Sequence, residues 1–252
     1  MMEQDRASRI VPLYRAVDLP VSSVAPAAAP QLTYRGGPLL TAVEVFTVFW
    51  GSAWQQGPQS QLVQQVNAFF DFIVTSPLLD QLAEYGVAGQ SIGHGRRTGT
   101  GTITATEPAA SVSDSDIQTM LQQQISTNTA FPQPNGNTLY YVYLPPGVSV
   151  TMAGGQSCTT FCGYHNSFNT QTFYAVEPYP GCAGCLGGLA PFDATTTASS
   201  HELCEAITDP VPGQGWYDDA NGEIGDICAW QTKTLGQYTV QLEWSNQRNA
   251  CI

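Results

Sequence analysis

The hydrophobic positions of this chain follow two periodicities, one typical of strands and one typical of helices. Residues 39–50 form an almost continuous run of apolar, β-branched and aromatic residues that ends at Gly51, which predicts a buried strand. Between residues 62 and 73, apolar side chains recur at the spacing of one helix face, which predicts an amphipathic helix. Strand-like runs return at residues 139–146, 173–179 and 238–244. Strands that alternate with helices indicate an α/β fold.

Weaker patterns fill the intervals between these elements. Residues 76–86 indicate a short helix closed by glycine, and residues 90–106, where Gly and Thr alternate, indicate an exposed or edge strand. Acidic residues just after Ser113 are typical of a first helical turn. A last helix is predicted after a glycine-rich turn, with Asp193 or Thr195 as its N-cap and with its end at Pro210.

The chain divides into two parts near residue 36. Residues 1–36 include the segment Ala-Pro-Ala-Ala-Ala-Pro and show little periodicity, so we expect a flexible N-terminal tail or a remnant propeptide. Residues 37–252 are predicted to form a single α/β domain, with a mixed sheet and flanking helices. The last predicted helix contains His201, Glu202 and Glu205, residue types that bind metal ions. A sheet, then such a helix, then an irregular C-terminal part is the order of a zincin-like metallopeptidase.

Composition limits the partners of the protein. The 252 residues are 42% hydrophobic and 11% charged, with a net charge of −12 and a single lysine. Such a surface repels nucleic acids and anionic membranes, so we expect neither as a partner. Uninterrupted apolar stretches stay short of the roughly 18–20 residues of a membrane span. We expect a monomer that acts on a peptide or protein substrate.

The cysteines indicate an oxidising, extracellular setting and a secreted protein. All seven lie after position 157: Cys158, Cys162, Cys182, Cys185, Cys204, Cys228 and Cys251. Cys204 lies within the predicted last helix and is the candidate for a free thiol. The other six are predicted to form three disulfides, with Cys228–Cys251 as the best single pair. The spacing of the first four also resembles a structural zinc site, which is the competing interpretation.

Residues 201–205 read His-Glu-Leu-Cys-Glu and contain the most specific chemical pattern of the chain. The pentapeptide resembles the H-E-x-x-H helix of zinc metallopeptidases, with glutamate in place of the second histidine. Residues four apart lie on one helix face, so His201 and Glu205 can bind the same metal ion. Glu202 occupies the position of the general base that activates water. The competing interpretation is an amphipathic helix with a polar stripe and no metal.

Several blocks of the sequence together resemble the phosphate-induced protein/Exordium family. They are residues 37–51, 161–165, 174–179, 200–210, 215–217 and 223–228, with Cys182 and Cys185 between them. That family is extracellular, is known from plant cell walls and has microbial relatives; its molecular activity is poorly defined. The resemblance maps a His-Glu-x-x-Glu element onto His201, Glu202 and Glu205. It also maps Cys-Gly-aromatic-His onto 162–165 and Glu-Ile-Gly-Asp onto 223–226.

The third metal ligand has three candidates in the sequence. Metallopeptidases of the zincin type take it from beyond the helix, which favours Asp226 or Glu223, whereas His165 is the better zinc donor by chemistry. Zinc is the expected metal, although a set of histidines and carboxylates also accepts manganese or iron. Residues 218–226 allow an additional calcium site, but they fail the EF-hand pattern at both ends, and an acidic turn is favoured.

These observations lead to two hypotheses about function. The first is a secreted zinc-dependent peptidase with Glu202 as general base, in which Tyr164 or Tyr217 is a candidate to stabilise the oxyanion. The second is a non-catalytic extracellular wall, matrix or carbohydrate-binding protein with a structural metal. A structural metal takes four protein ligands and a catalytic zinc takes three, so the ligand set discriminates between the hypotheses.

Overall fold

The computed structural model describes residues 10–14 and 29–252, which build a mixed β-sheet with helices packed on both faces. The strands are β1 (Ile10–Pro12), β2 (Thr33–Tyr34), β3 (Glu44–Trp50), β4 (Arg96–Ile103), β5 (Ser111–Ser113), β6 (Thr138–Leu144), β7 (Ser149–Met152), β8 (Gly155–Gln156), β9 (Phe161–Phe168), β10 (Thr172–Pro178), β11 (Trp216–Tyr217), β12 (Thr232–Leu235), β13 (Tyr238–Gln241), β14 (Trp244–Ser245) and β15 (Ala250–Cys251). The α-helices are α1 (Gly57–Ile73), α2 (Pro77–Leu82), α3 (Asp114–Thr127), α4 (Ala183–Leu186) and α5 (Pro191–Thr208). Short 3-10 helices cover Ser52–Gln55, Ala83–Tyr85 and Asp226–Cys228.

Six strands form the central sheet in the order β1-β9-β10-β6-β3-β4. The strands β10, β6, β3 and β4 are parallel to one another, whereas β9 is antiparallel to β10, and β1 is antiparallel to β9. Parallel strands covered on both faces need apolar residues at every position. This explains the buried run of β6, in which Tyr141 and Tyr143 face one layer and Tyr140 and Val142 face the other. The predicted mixed α/β sheet is confirmed.

Two apolar layers cover the sheet. One contains α1, α2 and α5, and the other contains α3 with the small sheet β5-β7-β8. The apolar stripe predicted for α1 is buried against the sheet, and Ser113 caps α3 at the predicted position. The exposed strand predicted within residues 90–106 is β4, at one edge of the sheet.

Three predictions differ from the structure in detail. The helix α5 begins at Pro191, so Asp193 and Thr195 lie inside its first turns; the fixed φ of proline suits the first helical position. The run 238–244 is divided between β13, which pairs with β12 in a separate hairpin, and β14. Residues 10–12 and 33–34, expected to be part of a tail, pair with β9 and β11. Residues 1–9 and 15–28 lie outside the described part of the chain.

The cysteine pairs are Cys158–Cys182, Cys162–Cys185 and Cys228–Cys251, and Cys204 is buried and free. These disulfides fasten the C-terminal half of the chain, as predicted, and they leave no group of four free cysteines for a structural zinc. Among the described helices, no single one is long and apolar enough to cross a membrane. The helical segments Gly57–Ile73 and Pro77–Tyr85, which are bent by 50° relative to each other, reach that length and apolar composition only when they are taken together. The finer zincin-like assignment stays a prediction.

Candidate metal centre

The helix α5 carries one histidine and two glutamates into the interior of the protein, beside several buried Ser and Thr residues. His201, Glu202 and Glu205 are each 0% exposed. The helix is buried on nearly all sides because it packs against β9 and β10 and also against β13. A helix that is enclosed in this way normally presents apolar residues in every direction. The polar residues of α5 are therefore exceptions that need partners or a function.

His201 and Glu205 lie one helical turn apart and face each other, as the spacing predicts. The Nε2 atom of His201 is 3.0 Å from Oε1 of Glu205. On the other side of the ring, the side-chain amide of Gln241 lies 2.8 Å from Nδ1 of His201 and donates to the carbonyl oxygen of Gly225. A Cβ atom on Gly225 would lie only 2.7 Å from Nδ1 of His201, so the close packing of the ring requires glycine there. Gln241 and Gly225 thus direct Nε2 towards Glu205.

Asp226 joins this pair from the segment that follows α5. Its backbone N–H donates to Oε1 of Glu205 at 3.1 Å. One ligand atom from each of His201, Glu205 and Asp226 lies within 4.8 Å of the other two. The adjacent Cys228 is tied to Cys251, which restrains the loop that carries Asp226. Of the three candidate third ligands, Asp226 is therefore the one that the structure groups with His201.

His165 occupies a different position, beside Glu202. Its Nδ1 atom is 2.9 Å from Oε2 of Glu202, and its Nε2 atom is 3.2 Å from the carbonyl oxygen of Asp209. Both partners are acceptors, so both ring nitrogens donate and the ring is positively charged. Burial lowers the pKa of His165, but the charge of Glu223 and contacts with Glu202 and Glu205 outweigh burial and raise it well above the usual value. His165 is thus placed to orient Glu202.

Glu223 belongs to a second, overlapping group. Ligand atoms of His165, Glu205 and Glu223 also lie within 4.8 Å of one another, and Oε1 of Glu223 is 3.5 Å from Nε2 of His165. Burial raises the pKa of Glu223 well above its usual value. Both candidate groups share Glu205, so their members form one cluster with Glu205 at its centre. The five residues of this cluster are His165, His201, Glu205, Glu223 and Asp226.

The charges of the cluster fit a bound cation. Within the described residues, buried acids near the site outnumber the two buried histidines: Glu177, Glu202, Glu205, Asp209, Glu223 and Glu243. His201 Nε2, Glu205 Oε2 and both oxygens of Glu223 are buried and make no hydrogen bond of good geometry, although ion-pair distances of 3.0 Å and 3.5 Å join His201 to Glu205 and His165 to Glu223. Unpaired buried ions and polar atoms cost several kcal/mol each, roughly, unless a counter-charge compensates them. Imidazole and carboxylate are normal zinc donors, so these residues fit that ion.

The electrostatics distinguish Glu205 from Glu202. Burial raises the pKa of Glu205, but the charges of His201 and His165 overcome that effect and lower it to about 2. Glu205 is therefore ionised, as a metal ligand must be. For Glu202 burial prevails, and its pKa is raised although the hydrogen bond from His165 opposes the shift. A carboxylate with a raised pKa is a stronger base than an ordinary carboxylate, which suits a group that accepts and returns a proton.

The sequence interpretation missed three residues around the cluster. Gln241 fixes the ring of His201, while Glu177 and Glu243 are buried carboxyl groups in β10 and after β13. Each of the three stands inside an otherwise apolar run, Phe-Tyr-Ala-Val-Glu or Val-Gln-Leu-Glu-Trp. A polar residue in a run that predicts a buried strand is itself a signal, because burial needs a compensating partner.

Other candidate residues lie elsewhere. The hydroxyl of Tyr164 donates to Asp114 in the opposite apolar layer, and Tyr217 packs under Arg35, so the structure does not bring either to the cluster. His94, the remaining histidine of the sequence, is exposed beside Asp80. In the segment considered for calcium, the Asp218 carboxylate accepts backbone N–H groups of Gln31, Ala220 and Asn221. That pattern is the favoured acidic turn; the additional calcium stays untested.

Comparison with known proteins adds little to this description. No protein-family model matches the chain, and no curated protein matches it either. One solved structure with similarity is described as "Structure of a chaperone-substrate complex", at a TM-score of 0.31 and 15% sequence identity. That similarity covers 74% of this chain and 28% of the other chain. At such a TM-score the similarity carries no argument about fold or function.

Proposed function

We propose that this protein is a secreted metal-dependent peptidase in which His201, Glu205 and Asp226 hold a zinc ion. The observation that carries the proposal is the group of these three donors, two of them fully buried and Asp226 partly buried, next to the carboxylate of Glu202. Three protein ligands are the usual set of a catalytic zinc, because a fourth position stays open for chemistry. His165 stands apart from this set, in contact with Glu202.

The residues around the metal have separate roles in the proposed reaction. Zinc supplies Lewis acidity towards a peptide carbonyl and towards water. Glu202 accepts the proton of the attacking water and delivers it to the leaving amide nitrogen. His165 holds Oε2 of Glu202 through Nδ1–H, which positions the base and stabilises its ionised form. Gln241 contacts the opposite edge of the His201 ring; with a metal on Nε2 the proton of His201 would lie on Nδ1, and the amide of Gln241 would turn its oxygen towards that proton.

The cellular location of the protein and its family relationship form part of the same proposal. Three disulfides are compatible with an oxidising, extracellular compartment. The proposed relationship to the phosphate-induced protein/Exordium family rests on the sequence blocks that contain His201, Glu202 and Glu205 and the segment 223–226. Expected partners are peptides or proteins, and the net charge of −12 argues against nucleic acid.

Replacement of Glu202 by glutamine tests the assigned base. Glu202→Gln keeps the size of the side chain but removes its basicity, so peptide hydrolysis should fall by about 10²–10⁴-fold. Bound zinc should stay near the wild-type amount, because Glu202 is not among the proposed ligands. The control is Glu107→Gln, an exposed glutamate that accepts the N–H of Ser52. Turnover by Glu202→Gln close to that of the control would remove Glu202 from the mechanism.

The burial of most residues of the cluster favours a second candidate function, a non-catalytic extracellular wall or matrix protein with a structural metal. His165, His201, Glu202, Glu205 and Glu223 are all 0% exposed, as expected for a structural site. A carbohydrate-binding role gains less support, because the large exposed hydrophobic side chains of the described residues are Tyr14 and Ile252. Aromatic faces that could stack on a sugar are therefore few.

Metal removal separates the two functions. A structural zinc stabilises the fold outright, so its removal should lower the unfolding temperature even where no peptide is cleaved. For the peptidase, removal should abolish hydrolysis, and added zinc should restore it. Stoichiometric zinc, a large loss of stability on removal and no cleavage across a peptide library would establish the structural role.

A further inference from the structure

The segment Ile10–Tyr14 lies across the cluster as an extended strand. Ile10 pairs with Tyr164 and Val11 with Gly163, in the antiparallel direction along the outer edge of β9. The backbone is held on its other side as well: the indole N–H of Trp230 donates to the carbonyl oxygen of Pro12 at 2.7 Å. The N–H of Tyr14 donates to the carbonyl oxygen of Gly184 at 2.7 Å. The segment therefore occupies a cleft between β9 and Trp230.

The backbone of this segment contacts the proposed base directly. The amide nitrogen of Val11 lies 3.2 Å from Oε1 of Glu202 and donates to it. The other oxygen, Oε2, is bonded to His165, so both carboxylate oxygens of Glu202 are engaged. In peptide hydrolysis the general base ends by protonating the leaving amide nitrogen. Val11 thus places an amide nitrogen where the proposed reaction needs one.

The side chain of Val11 defines a small apolar pocket. It is 1% exposed and packs in a cluster with Cys162, Cys185 and Ala198. The first two are joined in a disulfide and Ala198 is part of α5, so the walls of the pocket are fixed by covalent and helical structure. A small aliphatic side chain fits such a site, whereas a charged side chain would be buried there without a partner.

We propose that the edge of β9 beside Glu202 is a binding cleft for extended peptides, with Ile10–Tyr14 as its internal, inhibitory occupant. Exposed sheet edges bind extended peptides through their unpaired backbone groups, while side-chain pockets select the sequence. The cleft takes peptides with a small aliphatic residue at the position of Val11. The inhibitory role rests on the proposed peptidase function, but peptide binding does not. When the segment leaves, Glu202 becomes accessible.

A substitution within the segment tests the proposal in the full chain. Val11→Asp puts a charge into the apolar pocket and should expel the segment, whereas Val11→Ala keeps a small aliphatic side chain there and should leave it bound. The probe is a fluorescent peptide with the sequence Ser-Arg-Ile-Val-Pro-Leu-Tyr-Arg-Ala of residues 8–16. Anisotropy should show binding to Val11→Asp at least tenfold tighter than to wild type or Val11→Ala. The same peptide with Asp in place of Val should bind at least tenfold more weakly.

A second measurement avoids dependence on one substitution. A site-specific protease sequence placed at residues 21–26 allows the segment to be cut from otherwise unchanged protein and exchanged for the labelled peptide. Exchange is expected after the cut and not before it. The inference would be overturned if the labelled peptide bound equally well before and after the cut. It would also be overturned if the peptide bound neither the uncut protein, nor the cut protein, nor Val11→Asp.

Hydrolysis assays on the same samples separate this inference from the proposed function. Cut protein that binds the peptide but hydrolyses no peptide library supports the cleft and contradicts the peptidase. Hydrolysis that is equally fast in cut and uncut protein, and that the peptide does not inhibit, supports the peptidase and contradicts the cleft. Both proposals together predict that the cut raises the hydrolysis rate and that added peptide lowers it again.

Discussion

At the scale of single residues, the centre is organised around Glu205. It lies 3.0 Å from His201, within reach of Asp226 and Glu223, and 3.5 Å from Nδ1 of His165. Neighbouring polar groups hold the two histidines from opposite sides, Gln241 on His201 and Glu202 on His165. Such supporting contacts fix ring orientation and commonly change metal affinity by about 10–100-fold when removed.

Gln241 offers a direct test of this support. Gln241→Leu should weaken zinc binding by about 10–100-fold, because the ring of His201 loses its fixed orientation. Gln241→Glu should bind zinc more tightly than Gln241→Leu, since a ligand bound through Nε2 carries its proton on Nδ1 and a carboxylate accepts that proton. The measurement is competition with a chromophoric chelator, and Gln247→Leu, an exposed glutamine, is the control. Equal zinc affinity in Gln241→Leu and the control would exclude the supporting role.

At the scale of elements, local sequence decides the ends of helices and packing decides their surroundings. Helix α3 shows the first effect: the side chain of Ser113 accepts the N–H of Asp116, and the Asp116 carboxylate accepts the N–H of Ser113. This reciprocal arrangement satisfies two donors that the helix cannot satisfy itself. Helix α5 shows the second effect, because strands distant in sequence enclose it.

The cap of α3 leads to a prediction about stability. Ser113→Ala should lower the free energy of unfolding by about 1 kcal/mol, because the N–H of Asp116 loses its acceptor. Ser126→Ala, in the last turn of the same helix, removes a hydroxyl that only donates to the carbonyl of Gln123 and should change stability by less than about 0.5 kcal/mol. Urea unfolding of both variants provides the comparison. A smaller loss for Ser113→Ala than for Ser126→Ala would contradict the capping role.

Most long elements could be predicted from periodicity, because their apolar positions repeat at one spacing. This holds for α1, β3, β6 and β10, whose buried faces coincide with the predicted runs. The strand β1 could not be predicted, since three residues that include a proline carry no period and gain their pairing from β9. The run 238–244 predicted one strand, but only its first part forms β13. That strand pairs with β12, its neighbour in sequence, in a hairpin outside the central sheet.

At the scale of the whole molecule, three disulfides fasten the C-terminal half around the centre. Cys228 and Cys251 are 23 residues apart in sequence, and their disulfide lies beside Asp226. Cys158 and Cys182 are 24 residues apart, and their disulfide does not adjoin the three proposed ligands. Crosslinks of this length stabilise mainly by restricting the unfolded chain, by about 3 kcal/mol. The two disulfides should therefore stabilise the fold equally and support the centre unequally.

Paired replacements test that difference. Cys228→Ala/Cys251→Ala and Cys158→Ala/Cys182→Ala should each lose about 3 kcal/mol of unfolding free energy. Zinc affinity should fall in the first variant alone, because the loop that carries Asp226 loses its restraint. Unfolding by urea and zinc titration of the folded variants provide the two readouts. A matched fall of zinc affinity in both variants would show that the effect is global.

How far the centre could be predicted follows from the distances in sequence. His201, Glu202 and Glu205 could be chosen as candidate site residues from one pentapeptide. Helical spacing places residues 201 and 205 on one face of the helix, with Glu202 beside them. The choice among Asp226, Glu223 and His165 needed the structure, since it depends on how β9 and the 3-10 helix at Asp226 approach α5. Spacing along a chain carries no information about such contacts between distant segments.

The metal content of protein purified without chelator tests the central claim most directly. Elemental mass spectrometry should find about one zinc per chain in the wild type and in His94→Ala, an exposed histidine. His201→Ala, folded as judged by circular dichroism, should retain less than a tenth of that amount. The account would be contradicted if the wild type held no stoichiometric transition metal even after zinc was supplied. Full zinc retention by His201→Ala would contradict it as well.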